Sequence, residues 1–318
     1  MKAVVYEKYG FPDILEMKEL PRPEPASDQV LIKVLAASVN KADWHLLTGD
    51  PFPVRMMAGL TKPKNKVLGA DVVGVVERVG HKVTQFKIGD EVYGDLSGTG
   101  FGAFAEYALT TEDRLAKKPS NLTYEQTAAL PMAAVTALQG LRDKGQIKED
   151  QEVLINGASG GVGGFAIQIA KAFEANVTAV CSTDKMCAAL EQGADLVIDY
   201  KRVDFIKGKK QYDLVFDVIG NHSISDLSKV LKPNGRYVTC AFSMSAAMLG
   251  PWYKVSQGKQ FINLLASTSS TDLKTIARLV EEGLIKPKIQ RLYTLDDVPE
   301  ALHLIGNGGM EGKLVITV

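Results

Sequence analysis

Apolar residues recur in this chain with two different periods, and the change of period divides it. As far as residue 118 the apolar runs are short and broken by Gly and Pro: Val30–Leu35, Val72–Val79, Glu91–Tyr93 and Phe104–Leu109, preceded by a strand-like Met1–Tyr6. Such runs predict a compact, mainly β domain. At Leu122–Ala137 the pattern turns helical, with Thr123 placed to cap the start and Glu125 and Gln126 in the first turn. Strands and helices then alternate to about residue 267: Val153–Ile155, a helix, Val177–Val180, a helix over 185–192 ended by Gly193, Leu196–Ile198, Leu214–Val218, a helix over 223–231, Arg236–Thr239 and Phe261–Leu265. That alternation predicts an α/β fold with a doubly wound parallel sheet. The chain closes with a helix at Leu273–Glu282 stopped by Gly283, the run Tyr293–Leu295, a helix near 297–305 and a last strand, Lys313–Val318. Residues 241–260 show no clear period and are expected as a long loop.

The first of the alternating strands runs into a glycine-rich segment, Asn156-Gly157-Ala158-Ser159-Gly160-Gly161-Val162-Gly163-Gly164. Gly157, Gly160 and Gly163 stand at the spacing that lets backbone turn, approach a pyrophosphate and pack a helix on a strand. Val162, Phe165, Ala166, Ile169, Ala170 and Phe173 then give that helix one apolar face. Its N-terminal N–H groups would meet the phosphates. The segment predicts a dinucleotide, with Gly157, Ala158, Ser159, Gly160, Gly161, Val162 and Gly163 as its contacts.

With 318 residues, two domains are the natural division. Lys plus Arg and Asp plus Glu both number 37, so the balanced charge argues against nucleic acid or an anionic membrane as partner. Cys181, Cys187 and Cys240 are too few and scattered for a disulfide framework and suit a reducing compartment. No secretory pattern or bilayer-spanning apolar run is visible, so a cytoplasmic protein is expected.

Several stretches in order resemble the zinc-independent, quinone-oxidoreductase-like branch of the medium-chain dehydrogenase/reductase superfamily. They are Ala37-Ser38-Val39-Asn40-Lys41-Ala42-Asp43, Leu68-Gly69-Ala70-Asp71-Val72-Val73-Gly74, Gly89-Asp90-Glu91-Val92, Gly102-Ala103-Phe104-Ala105-Glu106-Tyr107, Ala129-Leu130-Pro131 through Thr136-Ala137-Leu138, the glycine loop, and Gly312-Lys313-Leu314-Val315. The resemblance implies a GroES-like domain, residues 1–121 plus 268–318, with a Rossmann domain, 122–267, inserted in it and the active site in the cleft. It also implies a homodimer joined through Rossmann edge strands, here Phe261–Leu265. Zinc-dependent relatives carry ligands where this chain has Asn40, Ala70-Asp71 and Met132-Ala133-Ala134, and residues 94–110 hold no cysteine for a structural zinc. No metal is therefore expected. Without a Lewis acid, the easier chemistry is hydride delivery to a quinone or to a conjugated enal or enone.

The second strand ends in Cys181-Ser182-Thr183 and lacks the acid that would hold an NAD ribose and repel a 2′-phosphate. Ser182 and Lys185 could bind that phosphate, and Lys185 and Tyr200 match the family's phosphate-contacting lysine and tyrosine. NADPH is expected over NADH, with Asp184 the dissenting residue. The resemblance adds Thr136 beside the nicotinamide and Lys313 to the cofactor set. Asn40 is expected to hydrogen-bond cofactor ribose or a substrate oxygen, His45 to donate or move a proton, and Asp43 to hold its loop. Met244, Met248, Trp252 and Tyr253 are expected near a permissive acceptor pocket or the dimer edge. Two other readings stay open: an NADPH-binding sensor or reservoir with little turnover, and a zinc-free alcohol dehydrogenase.

Overall fold

The computed structural model describes all 318 residues, which form two compact units. The first comprises Met1–Ala133, Thr268–Glu282 and Pro287–Val318; the second comprises Ala134–Ser267 and Gly283–Lys286.

In the first unit a seven-stranded sheet runs in the order Ile289–Thr294, Lys313–Thr317, Gln29–Val39, Asp71–Val79, Glu91–Asp95 and Leu115–Lys117, with Tyr107–Thr111 pairing the other half of Gln29–Val39. A short hairpin of Lys2–Val5 and Glu16–Glu19 lies outside it. The long central strand shifts register against Asp71–Val79 twice, between Leu31 and Ile32 and between Val34 and Ala36. Such bulges add twist and bend a sheet around its core. That core is formed by Val30, Ile32, Leu68, Val72, Leu96, Phe104, Leu314 and their neighbours, all buried. Tyr93 donates its hydroxyl hydrogen to the Leu273 carbonyl at 2.6 Å, which ties the helix Ser270–Glu281 to this unit.

The second unit holds a six-stranded parallel sheet in the order Leu196–Asp199, Asn176–Cys181, Glu152–Asn156, Tyr212–Asp217, Leu231–Thr239 and Gln260–Asn263. The order reverses at Glu152–Asn156, the position where doubly wound sheets bind ligands beyond the strand ends.

Four expectations change. The helix read over Leu122–Ala137 is two, Tyr124–Ala128 and Pro131–Leu138, because a proline biases the residue before it away from helical geometry and lacks the N–H needed to continue the ladder. The strand read at Phe104–Leu109 starts later, at Tyr107–Thr111. The expected loop at 241–260 is a helix, Met244–Gln257, capped by Ser243 accepting from the Ala246 N–H and ended by left-handed Gly258. Gly250 and Pro251 interrupt its pattern, and Met244, Met248, Trp252 and Val255 are all exposed. The strand after it ends at Asn263, so Leu265 lies beyond the sheet.

Candidate active site

One face of the first unit's sheet gathers a buried polar group, and register explains why. Ser38 and Asp95 each pair with Asp71 across neighbouring strands, while Leu314 pairs with Val39, which puts Lys313 beside Asn40. Paired residues share a face and alternate residues return to it. Ser38, Asn40, Asp71, Asp95 and Lys313 are all buried. Asp71 Oδ2 accepts from Ser38 Oγ at 2.5 Å, Asn40 Nδ2 at 2.9 Å and Lys313 Nζ at 3.3 Å, and its Oδ1 accepts from the Met132 N–H at 2.8 Å. Lys313 Nζ also donates to Asn40 Oδ1 at 2.5 Å and to the Val39 carbonyl at 3.4 Å. The lysine must donate and the carboxylate must accept, so the orientation of the Asn40 amide is fixed.

This arrangement alters two expectations. Asn40 was expected to offer a donor, but Asp71 and the Ser38 carbonyl take both amide hydrogens. What remains is acceptor capacity on Oδ1. Lys313 was expected to reach the cofactor, yet its three N–H groups all have partners within the unit. An ammonium sits among the oxygens that would have to hold an ion, and no three His, Cys, Asp or Glu residues converge as a metal-holding group. The donor set does not fit zinc.

Asp43 lies one turn into the helix Lys41–Thr48, fully buried, and its two oxygens accept the Asn40 N–H at 2.9 Å and the Gly69 N–H at 3.0 Å. It thereby holds the glycine motif against the helix start. Burial pushes its carboxyl up to about 7 despite those two bonds. Asp95, which accepts from Thr268 Oγ1 at 2.7 Å and the Ser97 N–H at 2.8 Å, is also raised by burial and by the charge of Asp71. His45 is half-buried on the same helix, with Nδ1 at 2.6 Å from the Asp50 carbonyl. A carbonyl can only accept, so Nδ1 carries hydrogen and Nε2 is the nitrogen able to exchange a proton.

In the second unit, Gly157 turns the chain with φ of +84°, and its N–H and that of Ala158 both donate to the Val180 carbonyl. A Cβ on Gly163 would lie 2.1 Å from the Gly157 oxygen, so the helix could not start so close to the turn with any other residue there. Gly160 differs. Its backbone is extended, with φ of −75°, and an added Cβ would meet nothing nearer than 3.8 Å. The chain's own packing explains the first two glycines and not the third. The helix that follows, Gly161–Ala172, has no capping side chain, whereas Thr123, Ser223, Ser243 and Ser269 cap four other helices. The N–H groups of Gly161, Val162 and Gly163 are thus left to a ligand, with Ser159 beside them. Asp217, fully buried, braces this loop by accepting from Asn156 Nδ2, the Ile219 and Gly220 N–H groups and the Tyr237 hydroxyl.

Ser182 and Lys185 follow the second strand and are both buried, while Tyr200, exposed, donates its backbone N–H to the Cys181 carbonyl. Two cations that the sequence reading passed over stand at this corner. Lys201 pairs with Asp184 at 3.5 Å and Arg202 with Asp199 at 3.4 Å. A hydrogen bond from Ser182, then Lys201, lowers the Asp184 carboxyl; one from Thr183 chiefly lowers Asp199. Thr136 is buried in the helix Pro131–Leu138. These residues fit a dinucleotide.

Comparison with known proteins agrees with this geometry. Residues 26–120 match the alcohol dehydrogenase GroES-like domain and residues 192–316 match the zinc-binding dehydrogenase domain. A 2-methylene-furan-3-one reductase of Solanum lycopersicum is 34% identical across 99% of this chain and 79% of its own length. An NADPH-dependent alkenal/one oxidoreductase of Arabidopsis thaliana, described as chloroplastic, is 33% identical across 99% of this chain and 79% of its own. The solved quinone oxidoreductase of Coxiella burnetii superimposes with a TM-score of 0.89 at 31% identity, covering 100% of this chain and 99% of that one. The chain belongs to the medium-chain dehydrogenase/reductase superfamily, in its quinone-oxidoreductase-like branch, and is a nicotinamide-dependent oxidoreductase.

Proposed function

We propose that the protein is an NADPH-dependent reductase that delivers hydride to quinones or α,β-unsaturated carbonyls without a metal. The observation that carries the cofactor is Gly160 at an uncapped helix start: the packing tolerates a side chain there, and a pyrophosphate would not. The N–H groups of Gly161, Val162 and Gly163 hold the pyrophosphate. Ser182, Lys185 and Tyr200 hold the 2′-phosphate, and Lys201 neutralises Asp184, the one nearby carboxylate that would repel it. Thr136 orients the nicotinamide. Reduced nicotinamide supplies the hydride when bound. Lys313 holds Asn40 in place from within the buried network, Asn40 acts through the lone pair left on Oδ1, and His45 moves a proton at Nε2.

A conjugated acceptor follows from the charge distribution. Where a Lewis acid would be needed to polarise an alcohol, Lys313 is already consumed by Asp71 and Asn40. The proposal includes a homodimer through the edge strand Gln260–Asn263 and the exposed stripe of Met248, Trp252 and Val255 beside it. It also includes a cytoplasmic setting, supported by three cysteines of which none forms a disulfide. No helix is long and apolar enough to cross a membrane. NADPH oxidation in the presence of quinones, enals and enones tests the reading. Tight NADPH binding with no acceptor accelerating oxidation refutes it in favour of a cofactor-binding protein.

A further inference from the structure

Asn156, Asp217, Thr239 and Asn263 pair in one row across four neighbouring strands of the parallel sheet, at its carboxyl-terminal edge. The glycine loop leaves from Asn156. From the other three strands the chain runs two or three residues further to Ile219, Phe242 and Leu265, large apolar residues that are all exposed and all belong to the second unit. Apolar side chains exposed together at the ligand-binding edge of such a sheet mark a binding surface. Phe242 is held there from both sides. Thr239 Oγ1 accepts from the Ala241 N–H at 3.0 Å and donates to the Ala241 carbonyl at 2.9 Å. Asn263 Oδ1 accepts from the Ser243 N–H at 2.8 Å, and its Nδ2 donates to the Ser243 carbonyl at 3.0 Å. The backbone is therefore fixed on either side of a residue that is 73% exposed. Ordering an exposed ring in this way gains little for the core, but it gives a ligand a platform set before it arrives.

Strand order says which end of a cofactor this platform meets. Ser182, Lys185 and Tyr200 follow strands on one side of Glu152–Asn156, while Ile219, Phe242 and Leu265 follow strands on the other. Ile219 also lies against the glycine loop, since a Cβ on Gly157 would come within 2.8 Å of its side chain. A dinucleotide with its pyrophosphate at that loop and its 2′-phosphate on the first side has its reactive end on the second. At ~4.8 Å between strands, Phe242 follows a strand roughly 10 Å from that of the loop, and Leu265 one roughly 14 Å away. We infer that Phe242 is the stacking platform for the acceptor, that Leu265 extends its apolar surface outward, and that the protein prefers aromatic-ring quinones to open-chain enals. The inference rests on the reading of the chain as an NADPH-dependent reductase and narrows its substrate class. The face of a phenyl ring carries negative quadrupole, which complements the electron-poor ring of a quinone in offset stacking. An open-chain enal presents no ring to stack. Phe242 has no proton to exchange, so it is a specificity residue and not a catalytic one.

The test is Phe242→Leu, which keeps apolar bulk and removes the ring face at an exposed position where the fold does not depend on it. With NADPH, kcat/KM is measured for 9,10-phenanthrenequinone and for trans-2-hexenal. The ratio of the two falls about 3- to 10-fold, the span of an aromatic stacking contact, and Phe242→Tyr keeps it near the wild-type value. NADPH affinity by fluorescence titration stays unchanged. An unchanged ratio in Phe242→Leu, even with both activities lowered together, overturns the inference while leaving the reductase reading in place; so does a loss of NADPH affinity. If the wild type reduces no acceptor at all, the reductase reading fails instead. Saturation-transfer NMR with 9,10-phenanthrenequinone then still decides the platform: a signal weakened in Phe242→Leu supports it, and an equal signal in both proteins overturns it.

Discussion

Replacing Lys313 by methionine should be among the most destabilising single changes in the first unit. The variant keeps the bulk of the side chain and removes the charge. Lys313 Nζ lies 3.3 Å from Asp71 Oδ2, and a pair at that distance attracts by about 5 kcal/mol at an effective dielectric near 20. Three neutral donors, from Ser38, Asn40 and Met132, still serve the orphaned carboxylate. Asn40 Oδ1 loses its short bond to the ammonium. The expected loss is about 3–5 kcal/mol, the range for removing one partner of a buried ion pair. At roughly 2–4 °C per kcal/mol this lowers the melting transition of the unit by about 10 °C. The decisive comparison is a double-mutant cycle with Asp71→Asn, read by chemical denaturation. Because each single change strands the other's charge, the double variant should lose at least about 2 kcal/mol less than the sum of the two. Additive losses, or a loss below about 1 kcal/mol in Lys313→Met, would refute the network as described.

Four further outcomes follow from the geometry. Gly160→Ala should leave stability within about 0.5 kcal/mol of wild type and weaken NADPH binding in a titration, whereas Gly163→Ala, with 2.1 Å to the Gly157 oxygen, should lose about 1–3 kcal/mol. Lys185→Ala should weaken NADPH by about 10- to 100-fold and barely change NADH, while Asp184→Asn should shift preference further toward NADPH; an unchanged NADPH Michaelis constant in Lys185→Ala would discard the phosphate assignment. Asp43, raised to about 7 in the folded chain from the ordinary carboxyl value of 3.8, binds more proton folded than unfolded between those limits. It therefore adds stability at the acid end of that window, which is lost at up to about 1.4 kcal/mol per pH unit as pH rises toward 7. Asp43→Asn should flatten that slope, and an identical slope would contradict the assignment. Val255→Glu, at a side chain 89% exposed, should shift sedimentation from dimer to monomer with the fold intact; an unchanged sedimentation coefficient would count against this helix as an interface.

The alternation of the second unit was legible because each strand and helix carries its own period, and the glycine loop because its residues answer local backbone demands. The Met244–Gln257 helix was hidden by Gly250 and Pro251 and by apolar residues that face outward, where no core imposes a clean stripe. The break before Pro131 could have been anticipated from the proline alone. The buried network was not legible, since Ser38, Asp71 and Lys313 lie far apart in sequence and meet only through strand register. Sequence proximity to the vacated metal positions picked out Asn40 but not the fact that its amide hydrogens were already engaged. Lys201 and Arg202 follow Tyr200 directly, and basic residues beside a candidate phosphate contact were the cue that could have found them.

The most direct test of the account is the fate of the transferred hydride. Chelator-treated protein would be mixed with C4-deuterated NADPH and 2-cyclohexen-1-one, and the product examined by NMR. Metal-free transfer to a conjugated acceptor predicts cyclohexanone carrying deuterium at the β-carbon, at a rate the chelator does not change. Deuterium on a carbinol carbon, or activity that disappears with the metal and returns with zinc, would contradict it.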